Sequence, residues 1–151
     1  MKSQLIIDEL KKRLSLIPQK IKPELGYPGM KVDTYPSVWI IKGVQNDELI
    51  KPGLYQKELP LAIEYYKKGI KSTEIEVTAS SMEEEIRKNV ETDERFTDSI
   101  TGKDLLIEFH SFRTEHLFYP SPLEVMCVSI GYTFGYVEEF LGFQGRGTSQ
   151  I

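Results

Sequence analysis

Pro120-Ser-Pro-Leu-Glu-Val-Met-Cys-Val-Ser-Ile-Gly-Tyr-Thr-Phe134 alternates like a β-strand, yet it carries apolar side chains at both parities. Counted from Leu123, one face reads Leu, Val, Cys, Ser, Gly, Thr; counted from Glu124, the other reads Glu, Met, Val, Ile, Tyr, Phe. A strand with one wet face shows a cleaner alternation of apolar and polar residues. This run therefore reads as a strand with a demand for cover on two sides.

Upstream, Lys103 to Phe112 alternates again, with Leu105, Ile107 and Phe109 on one face and Leu106, Glu108, His110 and Phe112 on the other. Residues 113 to 122 join the two runs, and Pro120 and Pro122 suit a connection better than a ladder interior. A long antiparallel pair closing the domain follows. Before it, Ser80-Ser-Met-Glu-Glu-Glu-Ile86 carries a capping-box pattern, Ser80 with Glu83 or Ser81 with Glu84, and Met82, Ile86 and Val90 then recur at spacing four. The spacing predicts a helix from there to about Val90 or Thr92, then a polar connection or short second helix around Phe96, stopped by Thr101-Gly102.

Leu61-Ala-Ile-Glu-Tyr-Tyr66 and Thr73-Glu-Ile-Glu-Val-Thr-Ala79 read as a hairpin with one solvated side, and a helix over 59 to 68 competes with the first half. Ser37-Val-Trp-Ile-Ile41 is a β-favouring run between Pro36 and Gly43, followed by a polar loop through Pro52 and Gly53. Leu5, Ile6, Leu10, Leu14 and Ile17 predict a helix over about 3 to 16, with Lys11, Lys12 and Arg13 near its C-terminal end, where the helix dipole favours cations. Four prolines and two glycines between Pro18 and Pro36 predict an irregular loop. The fold class is α+β: a mainly antiparallel sheet packed against an N-terminal and a central helix. Residues 1–139 form one domain, and the Gly-rich residues 140–151 a flexible C-terminal tail.

At 151 residues the chain suits one domain that buries roughly 70% of its unfolded surface. No stretch of about 18 apolar residues offers a membrane span, and the acidic residues close to Met1 argue against a secretory signal, leaving the cytoplasm as the default. The net charge of −4 gives no support to a sequence-independent nucleic-acid binder. Charge is uneven, with seven Lys or Arg against three acids over residues 1–31 and nine acids against three bases over 74–98, an imbalance that usually marks solvated faces and that can also orient partners in an assembly.

Catalytic and cofactor patterns are weak. Cys127 is the only cysteine and lies in an apolar strand, as a small buried hydrophobe does. His110 and His116 lack the further ligands that a metal site needs, and Glu83-Glu84-Glu85 suits the start of a helix better than a carboxylate cluster. No Gly-x-Ser-x-Gly elbow occurs, and Gly142-Phe-Gln-Gly-Arg-Gly147 lacks the Gly-Lys-Ser/Thr ending of a phosphate loop. No catalytic residue, cofactor or metal is expected.

The order of elements resembles the tail terminator proteins of long-tailed bacteriophages, the family that includes the lambda minor tail protein U. The resemblance rests on the helix at Leu5 to Leu16, the strand Pro36-Ser-Val-Trp-Ile-Ile41, the passage Glu74-Ile-Glu-Val-Thr-Ala-Ser-Ser-Met-Glu-Glu-Glu85 and the ending Val128-Ser-Ile-Gly-Tyr-Thr-Phe134, over about residues 3 to 136. It implies a structural virion subunit that assembles in the host cytoplasm as a homo-hexameric ring. That ring sits at the head-tail junction, caps the tail tube protein, meets a head-completion or neck protein, and passes DNA without specific binding or any membrane contact. Under this resemblance Glu124, Met126, Val128, Ile130, Tyr132 and Phe134 are the candidate subunit interface. Glu74 and Glu76 are candidates for a channel or rim, and Phe140, Phe143 and Arg146 for a partner-binding tail. The alternatives are a neighbouring neck protein (head closure or tail completion), a small hydrolase whose active groups converge only in the fold, or a small-molecule-binding α/β module. In that module Tyr65, Tyr66, Phe109, Tyr132 and Phe134 line an apolar pocket.

Overall fold

A computed structural model describes residues 2–18, 21–26, 35–120 and 122–140. Along the chain these form α1 (Lys2–Leu14), β1 (Glu24–Leu25), β2 (Ser37–Lys42), β3 (Asn46–Lys51), β4 (Leu54–Lys68), α2 (Ile75–Val90), β5 (Glu108–Tyr119) and β6 (Val125–Glu139). The doubly apolar stretch becomes β6, which is paired along its length with β4 on one side and with β5 on the other. A strand with neighbours on both edges has no free ladder, which suits its run of Val, Ile, Tyr and Phe. The sheet runs β1-β2-β4-β6-β5, with β3 also on β4. Strand β4 is long enough to take β3 along its first part and β2 along its second, on the same edge. Every pairing is antiparallel except β1 with β2. The chain is thus an α+β protein with an N-terminal and a central helix on a mainly antiparallel sheet.

Both helices lie on one side of the sheet. Ile6, Ile7, Leu10 and Leu14 of α1 and Ala79, Met82, Ile86 and Val90 of α2 are buried there. They meet the inward parity of the strands: Val38 and Ile40, Leu59 to Tyr65 at every second residue, and Met126 to Tyr136 at every second residue. Phe96, Leu105 and Leu106 from the connection between α2 and β5 complete this core, where Phe96 meets Phe134 edge to face at 5.2 Å.

Four expectations from sequence are corrected. Thr73–Ala79 is not the return strand of a hairpin, because α2 begins at Ile75 and its buried positions Ala79, Met82, Ile86 and Val90 follow helical spacing from there. Ser80 and Ser81 consequently lie inside α2, exposed to solvent, instead of capping it; the cap position is Glu74, which makes no side-chain cap hydrogen bond. The strand before β6 starts at Glu108 and runs through residues 113–119, which the sequence assigns to a connection. The polar loop through Pro52 and Gly53 is a tight turn between β3 and β4, with Gly53 in the left-handed region at φ 83°.

Candidate functional site

The two faces of the sheet differ in kind. On the inner face β6 presents Met126, Val128, Ile130, Tyr132 and Phe134, all fully buried under the helices of the same chain. These residues, expected at a subunit interface, are core residues and offer no surface to a neighbour. Glu124 precedes β6 and is exposed, with φ 49°.

On the outer face β6 presents Val125, Cys127, Ser129, Gly131, Thr133 and Gly135, a row of small side chains over which no described helix lies. Larger neighbours lean across this row from both flanking strands. The ring of Phe112, at a β-bulge between Ser111 and Arg113, rests on Gly131 so closely that a Cβ there would stand 2.7 Å from its Cζ. A residue larger than glycine would lift that ring off the sheet. Leu117 is paired with Cys127 and Tyr119 with Val125 from β5, while Tyr66 is paired with Cys127 from β4. Phe112 is 53% exposed, Leu117 38% and Tyr119 42%. These apolar side chains share one face with half-buried Trp39 and Ile41 of β2 and Pro60 and Ala62 of β4.

Glu64 stands at the middle of this face, opposite Trp39 on one side and Ser129 on the other. Its carboxylate accepts hydrogen bonds from the Tyr66 hydroxyl (2.5 Å) and the Ser129 hydroxyl (3.3 Å). Burial and the Glu64 carboxylate both push the Tyr66 phenol up. Burial, followed by the Glu64 charge, pushes the Cys127 thiol up to about 12, so this cysteine stays protonated and behaves as a small hydrophobe.

The polar clusters on the helix side fasten elements together. Buried Arg13 bonds Glu9 (2.9 Å), the Val90 carbonyl (2.8 Å) and the Thr97 carbonyl (3.1 Å), and its guanidinium lies 4.0 Å from the centre of the Phe96 ring. Glu9 in turn accepts from the amide and hydroxyl of Ser99 (3.0 and 2.9 Å). Arg87 joins Glu83 of α2 and Glu91 at its C-cap to Thr114 of β5, and His116 meets Glu83 at 2.7 Å. Between the segment that follows α2 and the start of β5 an open cleft of about 290 Å³ borders Phe109 and Tyr132, but Glu91, Asp93, Glu94 and His110 also line it. Of the aromatics suggested for an apolar pocket, Tyr65, Tyr132 and Phe134 are packed in the core, and Tyr66 lies on the outer face. Among the described residues no group of three or more His, Cys, Asp or Glu side chains is placed to hold a metal ion.

Glu74 and Glu76 are both exposed at the start of α2. Phe140 sits at the end of β6, its amide bonded to the Gly53 carbonyl (2.8 Å) and its ring edge-to-face with Tyr55 at 5.3 Å. Phe143 and Arg146 lie outside the described residues. Sequence reading missed the outer face, formed by Trp39, Glu64, Tyr66, Phe112, Leu117 and Tyr119. Its one local signal is the small-residue parity of β6, which requires bulky flanking side chains to cover it.

No described helix is long and apolar enough to cross a membrane. Comparison with protein-family models finds no match, and neither does comparison with curated proteins.

Proposed function

We propose that the chain is a structural subunit of the phage tail-terminator type: a virion protein that closes into a ring on the tail tube, stops its growth and presents a surface for head-tail joining. The observation that carries this reading is the outer sheet face, a surface drawn from four strands with apolar side chains partly exposed on it, over which no described helix lies. An antiparallel sheet can keep one face in water, but here that face carries the partly exposed Phe112, Leu117 and Tyr119, apolar area that another molecule can cover. Copies of the same chain are the occupants favoured here, because contact between unlike faces of successive copies is heterologous and closes into a ring when the rotation allows. The Arg13 and Arg87 clusters serve to fix elements to one another, in keeping with a structural role. In such a ring Glu74 and Glu76, exposed at one end of α2, suit a wet rim past which DNA slides without being held. The tail tube protein and a neck protein are the remaining partners of this reading.

Negative-stain electron microscopy of the purified protein, combined with light scattering over a range of concentrations, tests it. Rings of about six subunits are expected. A particle that stays monomeric at high concentration and also fails to cap purified tail tubes would remove the proposal.

A further inference from the structure

Glu64 combines three features seldom found together. It sits at the centre of a face over which no described helix lies, it is half-buried, and its partners among the described residues are two neutral hydroxyls, with no Lys, Arg or His paired to it; Arg113 on the same face pairs with Glu115 instead. Trp39 lies directly across the ladder. Tyr66 holds one carboxylate oxygen, and Tyr119 stands close enough on β5 for the Glu64 charge to push its phenol up, after burial and Cys127. A carboxylate set among aromatic faces is a receptor for a cation, which gains from the anion and from the ring quadrupoles at once. When a second surface covers this face, Glu64 loses its water, and an unpaired charge there is costly. A covering surface that brings a positive group removes that cost.

The same chain carries one on its opposite side. Apart from the internal Glu9–Arg13 pair, α1 holds Lys2, Lys11 and Lys12 against a single acid, Asp8. Around these lysines lie exposed apolar side chains, Leu5 and Leu16, with Ile100 beside Ser99, whose hydroxyl Lys12 reaches at 3.5 Å. Asp98 also lies near Lys12. The exposed side of α1 thus combines apolar side chains with surplus positive charge, unlike the acidic α2, and the outer sheet face carries the Glu64 charge at its centre, with the internal Arg113–Glu115 pair on β5. These two surfaces are on opposite sides of a two-layer subunit, so joining them links copies head to tail.

Resting on the ring reading, we infer that Glu64, framed by Trp39, Tyr66 and Tyr119, is the specificity-determining anion of the subunit interface and receives the Lys11–Lys12 segment of α1 from the next copy. Complementary charge at such a contact sets register and suppresses wrong partners.

Charge exchange provides the test, read by analytical ultracentrifugation at low and high salt, with circular dichroism to verify each fold. Glu64→Lys abolishes rings, and Lys11→Glu with Lys12→Glu does the same, while the combined variant restores them. Glu64→Gln, which keeps the shape and hydrogen-bonding groups, weakens assembly by about tenfold or more and flattens its salt dependence. If wild-type rings form and Glu64→Lys or Glu64→Gln assembles as well as wild type, the inference fails and the ring reading survives. If single reversals break the ring and the combined variant does not restore it, another surface, such as a tail tube or neck protein, supplies the cation and the inference is overturned. If the wild type forms no ring on its own or on tail tubes, both readings fall together.

Discussion

Glu9 shows how a charged residue can be placed in a core without loss. Burial opposes its ionisation, but hydrogen bonds from the Ser99 amide, from Arg13 and from the Ser99 hydroxyl outweigh it and hold the carboxyl below its ordinary value of 4.5. In the unfolded chain these partners are gone. Protons therefore bind the unfolded state first as pH falls, so the stabilisation is complete above pH 4.5 and is lost as pH drops through the lowered folded value. Replacing Glu9 by Gln is expected to cost about 2 kcal/mol at neutral pH, since a charge-assisted bond to buried Arg13 is lost. It should also flatten the stability profile below about pH 4.5. Urea unfolding midpoints across an acid pH series, wild type against Glu9→Gln, measure both effects. Parallel profiles would mean that another carboxylate dominates the acid limb.

At the scale of elements, α2 separates what a sequence window can tell from what it cannot. Over Thr73–Ala79 the period of a strand and the period of a helix share two positions, Ile75 and Ala79, which are apolar in both readings. Only Val77 discriminates, and in the structure it is largely exposed on the helix. The local pattern was therefore consistent with either element, and packing of Ile86 and Val90 against the sheet decides in favour of a helix. The second half of strand β5 escaped for a different reason: as part of an edge strand it is exposed along most of its length, so Arg113-Thr-Glu-His116 carries no apolar alternation to mark it. In contrast α1, β2 and β6 were legible because each buries an apolar row with its own unbroken period. The membership of the outer face was not legible beyond the parity of β6, because it is composed of residues from four strands whose register only the folded sheet fixes. Position within α2 gives a sharp expectation for Ser80 and Ser81. Inside a helix and exposed, each should gain about 0.5 kcal/mol on replacement by Ala, whereas a serine capping the helix would lose about 1 kcal/mol. Thermal unfolding of Ser80→Ala and Ser81→Ala decides between the two placements by sign alone.

For the whole molecule, the decisive asymmetry is a sheet with helices on one face and partly exposed Phe112, Leu117 and Tyr119 on the other. In a monomer the exposed part of these side chains contributes nothing, and Leu117→Thr keeps a β-favouring methyl beside Cys127, so such a polar replacement should cost folding only modestly. Leu117→Thr is expected to change the stability of the isolated subunit by less than about 1 kcal/mol. Its effect on a ring is different, because the remaining exposed part of a leucine is buried at every subunit contact. Full burial of such a side chain is worth about 2 kcal/mol, so burying the exposed part contributes about 1 kcal/mol at each contact. A closed ring repeats this loss at each of its interfaces, and the assembly concentration therefore rises steeply while the melting temperature of dilute subunit barely moves. Pairing sedimentation of Leu117→Thr with its thermal melt separates the two levels. A variant that assembles at the wild-type concentration would show that the outer face is not where copies meet, whereas one that melts several degrees lower would show that the side chain supports the fold of the subunit itself.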